Sequence, residues 1–128
     1  MITNTGMAVA AGLLLLDVGG TAYDFIGIGT DNTSEAAAHT DLIASVKRKA
    51  AVGTQVTTTQ TNDTAQLVIT FSSADSLSGT AAIVEAGIFT AASAGNMLFR
   101  KIFAAKSCDW DAGDTLEVTA KCQVKQGA

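Results

Sequence analysis

The chain has 128 residues, enough for one domain with a substantial core, and 16% of them are charged against 48% apolar. So few charges leave the surface short of its usual solvating residues and point to a protein partly covered by other subunits. A formal net charge of −4, with Lys47, Arg48 and Lys49 as the one basic cluster, gives no electrostatic footing for nucleic acid. That cluster reads as a solvated or subunit-facing patch.

Asn4 or Thr5 can cap a helix running to about Leu16, with Gly19 and Gly20 ending it. Met7, Ala10, Ala11 and Leu14 recur at helical spacing, so this stripe is expected to face the core. Leu13 and Leu16 lie off the stripe, which implies cover on a second side by a neighbouring subunit. An apolar strand over residues 12–18 is the competing reading. Residues 7–16 are too few to span a bilayer, and no Lys or Arg precedes them as in a signal peptide, so they are read as part of the mature fold.

Residues 23–30 (YDFIGIGT) read as a strand in which Gly27 and Gly29 mark close backbone approach. A dinucleotide fingerprint would need a third glycine and a following helix. Residues 31–40 form a small-residue loop, with or without an Ala-rich helical turn. Thr40 or Asp41 then caps a short helix over residues 41–49, with Leu42, Ile43 and Val46 as its apolar stripe. His39 beside it reads as a surface or capping histidine.

Residues 54–61 (TQVTTTQT) are β-branched and poor in apolar side chains, so they read as an exposed or edge strand. Asn62 and Asp63 make the turn. Residues 65–71 alternate, with Ala65, Leu67, Ile69 and Phe71 on one face. A loop over residues 72–80 leads to the central feature of the chain.

Residues 82–89 and 97–103 are two β-prone apolar runs flanking residues 90–96, the pattern of a hairpin with a longer loop. Both faces are mostly apolar, so the hairpin is expected in the middle of the domain, covered on both sides. Glu85 and Arg100 fall on one face as diagonal cross-strand neighbours and read as a structural ion pair, with Lys101 facing away.

In residues 104–114 (AAKSCDWDAGD), Asp109, Asp111 and Asp114 lack the spacing of a calcium loop and read as a polar turn carrying an exposed Trp110. The last strand, residues 115–125, directs Leu116, Val118, Ala120, Cys122 and Val124 inward. Cys122 is expected to be a small buried hydrophobe; a Cys108–Cys122 bridge is open if the two ends of that hairpin meet.

Five or six short strands in antiparallel meander order make this a mainly β, β-sandwich or jelly-roll-like domain over residues 1–128. Residues 1–18 supply an N-terminal helix or apolar arm, and one further short helix is expected. No catalytic constellation emerges: there is no GxSxG or HExxH, and no nucleophile beside His39 in sequence. The reading is an interaction or assembly protein and not an enzyme, without metal, cofactor, nucleic-acid or membrane partners.

The order of motifs carries a resemblance. FIGIGT (residues 25–30), DLIASVKRKA (41–50), VTTTQTNDTAQLVITF (56–71), AAIVEAGIFTAA (81–92), MLFRKIF (97–103) and GDTLEVTAKCQV (113–124) follow one another. This arrangement resembles a group of small structural proteins from the virion modules of tailed bacteriophages. In that group an IGxG strand, an EAGIF strand, a MLxRxxF strand and a GDTLxVTxxxxV strand recur in this order. The resemblance covers almost the whole chain and implies a virion component assembled in a bacterial host. It further implies that Glu85, Gly87, Arg100 and Asp114 hold the fold. A capsid decoration (cement) protein, trimeric and docked on the major capsid protein, is favoured over a tail-fibre, collar or baseplate module, because the chain lacks a heptad or fibrous repeat. In the tail alternative Trp110 and Tyr23 would be surface contacts, though 5% aromatic content is meagre for a glycan platform. The interface and structural candidates are Met7, Leu13, Leu14, Leu16, Glu85, Arg100 and Trp110.

Overall fold

The apolar runs pair into two antiparallel sheets in a computed structural model whose described residues are 1–15 and 21–127. Helix α1 (Asn4–Leu15) precedes strands β1 (Phe25–Gly29), β2 (Ser45–Ala50), β3 (Val52–Val56), β4 (Thr64–Phe71), β5 (Thr80–Phe89), β6 (Met97–Asp109) and β7 (Leu116–Gln123). One sheet has the order β2-β1-β5-β6 and the other β3-β4-β7. They stack as a β-sandwich around Ile26, Ile28, Leu67, Phe71, Ile83, Ile88 and Trp110. The connectivity is not a simple meander. Only Ala51 separates β2 from β3, so the chain changes sheets at that residue, its amide bonding the Asp24 carbonyl at 2.8 Å.

The hairpin of β5 and β6 is central, as its apolar faces require. β5 lies between β1 and β6, and its Ala86 and Ile88 look into the sandwich beside Ile28 and Ile26. Its other face is covered by residues 30–44, which lay Leu42 on Phe89 and Met97 as a second small core. Gly27 and Gly87 make room there: a Cβ on Gly27 would come within 2.9 Å of the Phe89 ring, and one on Gly87 within 2.9 Å of the Phe99 carbonyl.

Three elements differ from the sequence reading. Residues 45–50 are strand β2 and not part of a helix, since pairing with β1 from Phe25↔Ala50 onward satisfies their backbone while Leu42 enters the second core. Helical spacing of Leu42, Ile43 and Val46 was outweighed by tertiary contacts; Ile43 in fact stays half exposed. The Thr-rich strand is only Val52–Val56, and residues 57–63 form a loop wound on the Asp63 carboxylate. That carboxylate accepts the amides of Thr58, Thr59 and Gln60 and the Gln123 side chain at 2.7–3.0 Å. These bonds, led by that from Gln60, hold Asp63 far below the ordinary carboxylate range.

The third difference is the face of α1. Thr3, one residue before the expected cap, accepts the Gly6 amide at 2.8 Å and also bonds the Met97 carbonyl. The chain before it extends the sheet: Thr3 N donates to Leu98 O (2.8 Å) and Arg100 N to Met1 O (3.2 Å). So docked, the helix turns Gly6 onto β6, where a Cβ would lie 2.7 Å from Leu98 Cα. Met7 and Leu14, expected to be core, are 49% and 87% exposed, and Ala11 is exposed too; of that stripe Ala10 alone packs on the core. A glycine carries no hydropathy signal, so the contact face was hidden. Leu16 and the expected Gly19–Gly20 stop lie outside the described residues.

Two variants test this. Gly6→Ala gains about 1 kcal/mol of helix propensity but forces a methyl against backbone, which costs about 1–3 kcal/mol. Urea unfolding of dilute protein should therefore show net destabilisation. Leu14→Ala should stay within about 0.5 kcal/mol of wild type. A stabilising Gly6→Ala would refute the close approach. At acid pH, the lowered Asp63 pKa gives stability that is present above its unfolded value of about 3.9 and lost as pH falls through the folded value. Urea midpoints between pH 5 and 2 should fall more steeply for wild type than for Asp63→Asn.

Candidate functional site

The most concentrated polar chemistry lies beneath residues 30–44. Glu85 (β5) pairs across the hairpin with Ile102, and Arg100 (β6) with Gly87, which makes them the diagonal neighbours expected from sequence. Arg100 Nε donates to Glu85 Oε2 at 2.5 Å, and both side chains are 1% exposed or less. Glu85 also accepts the Ala44 amide on Oε1 (2.8 Å) and the Ile43 amide on Oε2 (3.2 Å). The remaining guanidinium donors reach the carbonyls of Thr33 (2.6 Å) and Asp31 (3.1 Å). Gly29 is required beneath this carboxylate, because a Cβ there would overlap Glu85 Oε1 and the Ala44 carbonyl.

Two partly buried acids flank the pair. The Asp31 carboxyl is held below its ordinary value by hydrogen bonds from Thr33, aided by Arg100. For Glu35, partial desolvation is the largest influence and acts upward. The Ile102 amide, the N-terminal ammonium and Lys101 together outweigh it and lower the pKa. Lys101 faces away from Glu85, as its position in the strand implied. Every donor and acceptor of Glu85 and Arg100 described above is directed at the protein itself, so the cluster anchors the outer layer and presents no group to a substrate.

The other sequence candidates are dispersed. Arg48 lies 3.4 Å over the Phe89 ring and donates to the Ala91 and Ala94 carbonyls and to Asp41. Lys49 bonds Thr70 O at 3.0 Å and Asp75 at 2.6 Å. Residues 47–49 therefore do not act as one basic patch. His39 Nδ1 accepts the Ala36 amide at 3.3 Å in a local turn.

In the acidic turn, Asp114 accepts the Asp109 amide (2.8 Å), Asp109 that of Ala112 (3.2 Å) and Asp111 that of Gly79 (3.0 Å). The polar turn is confined to residues 110–113, because residues 104–109 continue strand β6, and Trp110 is not exposed. Its amide donates to Gly79 O at 2.9 Å, which swings the ring into the core at 1% exposure. The acids around it conceal this in the sequence. Trp110 is thus a core residue, not a surface contact. The cysteines are both free: Cys108 is buried, which raises its thiol pKa, and Cys122 is exposed rather than buried.

One surface escaped sequence reasoning, and a second was foreseen only as a set of interface candidates. Where α1 meets both sheets, an apolar cavity of about 440 Å³ is lined by Leu13, Tyr23, Leu67, Ile88, Leu98 and Ala120. Such a space arises from packing three elements and leaves no local signature. The outward face of α1, bearing Met7 and Leu14, is apolar and uncovered among the described residues. Helical spacing found these two side chains but assigned them to the wrong side. Among the described residues no three His, Cys, Asp or Glu side chains gather as a metal site. Nor does any protein-family model, curated protein or solved structure match the chain.

Removing one member of the buried pair leaves the other charge uncompensated. Arg100→Met should destabilise by about 3–5 kcal/mol, and adding Glu85→Leu should cost less than the sum of the two single changes. Additive losses in denaturant unfolding would contradict the pairing.

Proposed function

We propose that the protein is a non-enzymatic structural component of a tailed-phage virion, and specifically a capsid decoration protein that forms homo-oligomers, with a trimer favoured. The observation that supports this reading is the outward apolar face of α1, where Leu14 is 87% and Met7 49% exposed. A soluble surface normally scatters such residues singly, whereas a helix anchored to a sheet by its opposite face offers them to a neighbour. The resemblance of the strand motifs to virion proteins supplies the kind of neighbour: the major capsid protein and other copies of this chain. Weak contacts of this size become effective when a symmetric oligomer straddles a repeating lattice.

The tail-fibre, collar or baseplate alternative loses one support, since Trp110 is withdrawn from the surface. Peptide mass spectrometry of separated heads and tails distinguishes the two, with the protein expected in heads at stoichiometric amounts. Recovery from tails alone would refute decoration, and absence from virions would refute both. Within the head reading, Met7→Glu with Leu14→Glu should weaken binding to expanded capsids at least about tenfold. The change should leave the urea midpoint of the free protein nearly unmoved.

A further inference from the structure

We infer that β7 is a self-complementary edge on which a second copy of this chain docks across a two-fold axis. The strand ends its sheet, with β4 on one side and no partner on the other among the described residues. The direction of its backbone groups follows from one bond: Val124 N donates to Asp63 O at 2.9 Å, continuing the register in which Thr64 faces Gln123. In an antiparallel ladder the hydrogen-bonded pairs alternate. Leu116, Val118, Ala120 and Cys122 therefore spend their amides and carbonyls on β4, whereas those of Glu117, Thr119, Lys121 and Gln123 point to the free edge.

An antiparallel copy must match these outward residues with its own. Centring the axis on Thr119 does so over the whole strand: Thr119 faces Thr119 of the second copy, Glu117 faces Lys121, and Lys121 faces Glu117. The two ion pairs lie on the solvent side, where Glu117, Thr119 and Lys121 are exposed. Leu116 meets Cys122 on the inner side. Moving the axis by half a residue opposes outward-directed residues to inward-directed ones and mismatches the hydrogen bonds, and moving it by a whole residue sets Glu117 and Lys121 against neutral residues. A single Lys on an edge discourages pairing; here Glu117 supplies its complement.

Two of the other edges are less suited. The outer edge of β6 is already bonded at Leu98 and Arg100 by Met1 and Thr3, and at Ile102 by Glu35. Beyond that it bulges, with residues 103–105 set against Val84 alone. β3 is five residues long and carries no charge. The β7 contact is independent of the virion reading. Its face is distinct from α1, so it would join copies held together by that helix.

The test uses the full chain with Cys122→Ser, and single cysteines placed along β7. Thr119→Cys should form an intermolecular disulfide on mild oxidation, because only residue 119 meets itself. Glu117→Cys and Lys121→Cys should each fail alone and cross-link when mixed. In sedimentation at up to about 1 mM protein, Glu117→Lys should weaken the dimer about tenfold, and the double change Glu117→Lys, Lys121→Glu should restore it to within about threefold. These positions are exposed, and unchanged circular dichroism establishes that the variants fold. A monomer at every concentration, or cross-linking indifferent to position, would overturn the proposal.

Discussion

The buried Glu85–Arg100 pair is the interaction on which the arrangement of the larger sheet depends. Placing two ions in an apolar interior costs several kcal/mol each unless every donor and acceptor is matched. Here the match is made with the segment over residues 30–44: two amides serve the carboxylate and two carbonyls serve the guanidinium. Apart from Leu42, that segment's apolar side chains are alanines and the half-exposed Ile43, and it would otherwise have weak reason to lie on the sheet. The glycines of β1 and β5 follow from the same requirement, since side chains at Gly27, Gly29 and Gly87 would occupy the space it fills. Arg100 also receives the chain terminus through its backbone, which sets where α1 begins.

What could be read in the sequence were the elements whose pattern and environment agree. Glu85 and Arg100 stand out as charges in apolar runs, and both faces of β5 are buried as its composition requires. The alternation of β7 holds from Leu116 to Ala120 and fails at Cys122, where the sheet runs out past its cover. What could not be read depended on contacts distant in sequence. The helix-like spacing of residues 41–49 was overridden by β1 and by the Glu85 carboxylate. Trp110 was hidden among aspartates, and the contact face of α1 was marked by a glycine rather than by leucines. The threonines of residues 57–61 carried strand propensity, yet Asp63, by collecting three successive amides, made them a loop.

The proposed role in assembly accords with the composition. The polar groups with the most distinctive surroundings, Glu85, Arg100 and Asp63, are all engaged in holding segments of the chain. Among the exposed side chains, the apolar face of α1 and the alternating charges of β7 suit protein surfaces. Few charges are tolerable when neighbours take the place of solvent.

The most direct measurement is amide hydrogen exchange at Ile43 and Ala44. They lie in a loop segment between strands, yet donate to a buried carboxylate, so they should exchange as slowly as the paired amides of β1 and β5. Exchange as fast as that of the exposed residues around Asn32 would contradict the role assigned to Glu85 and Arg100.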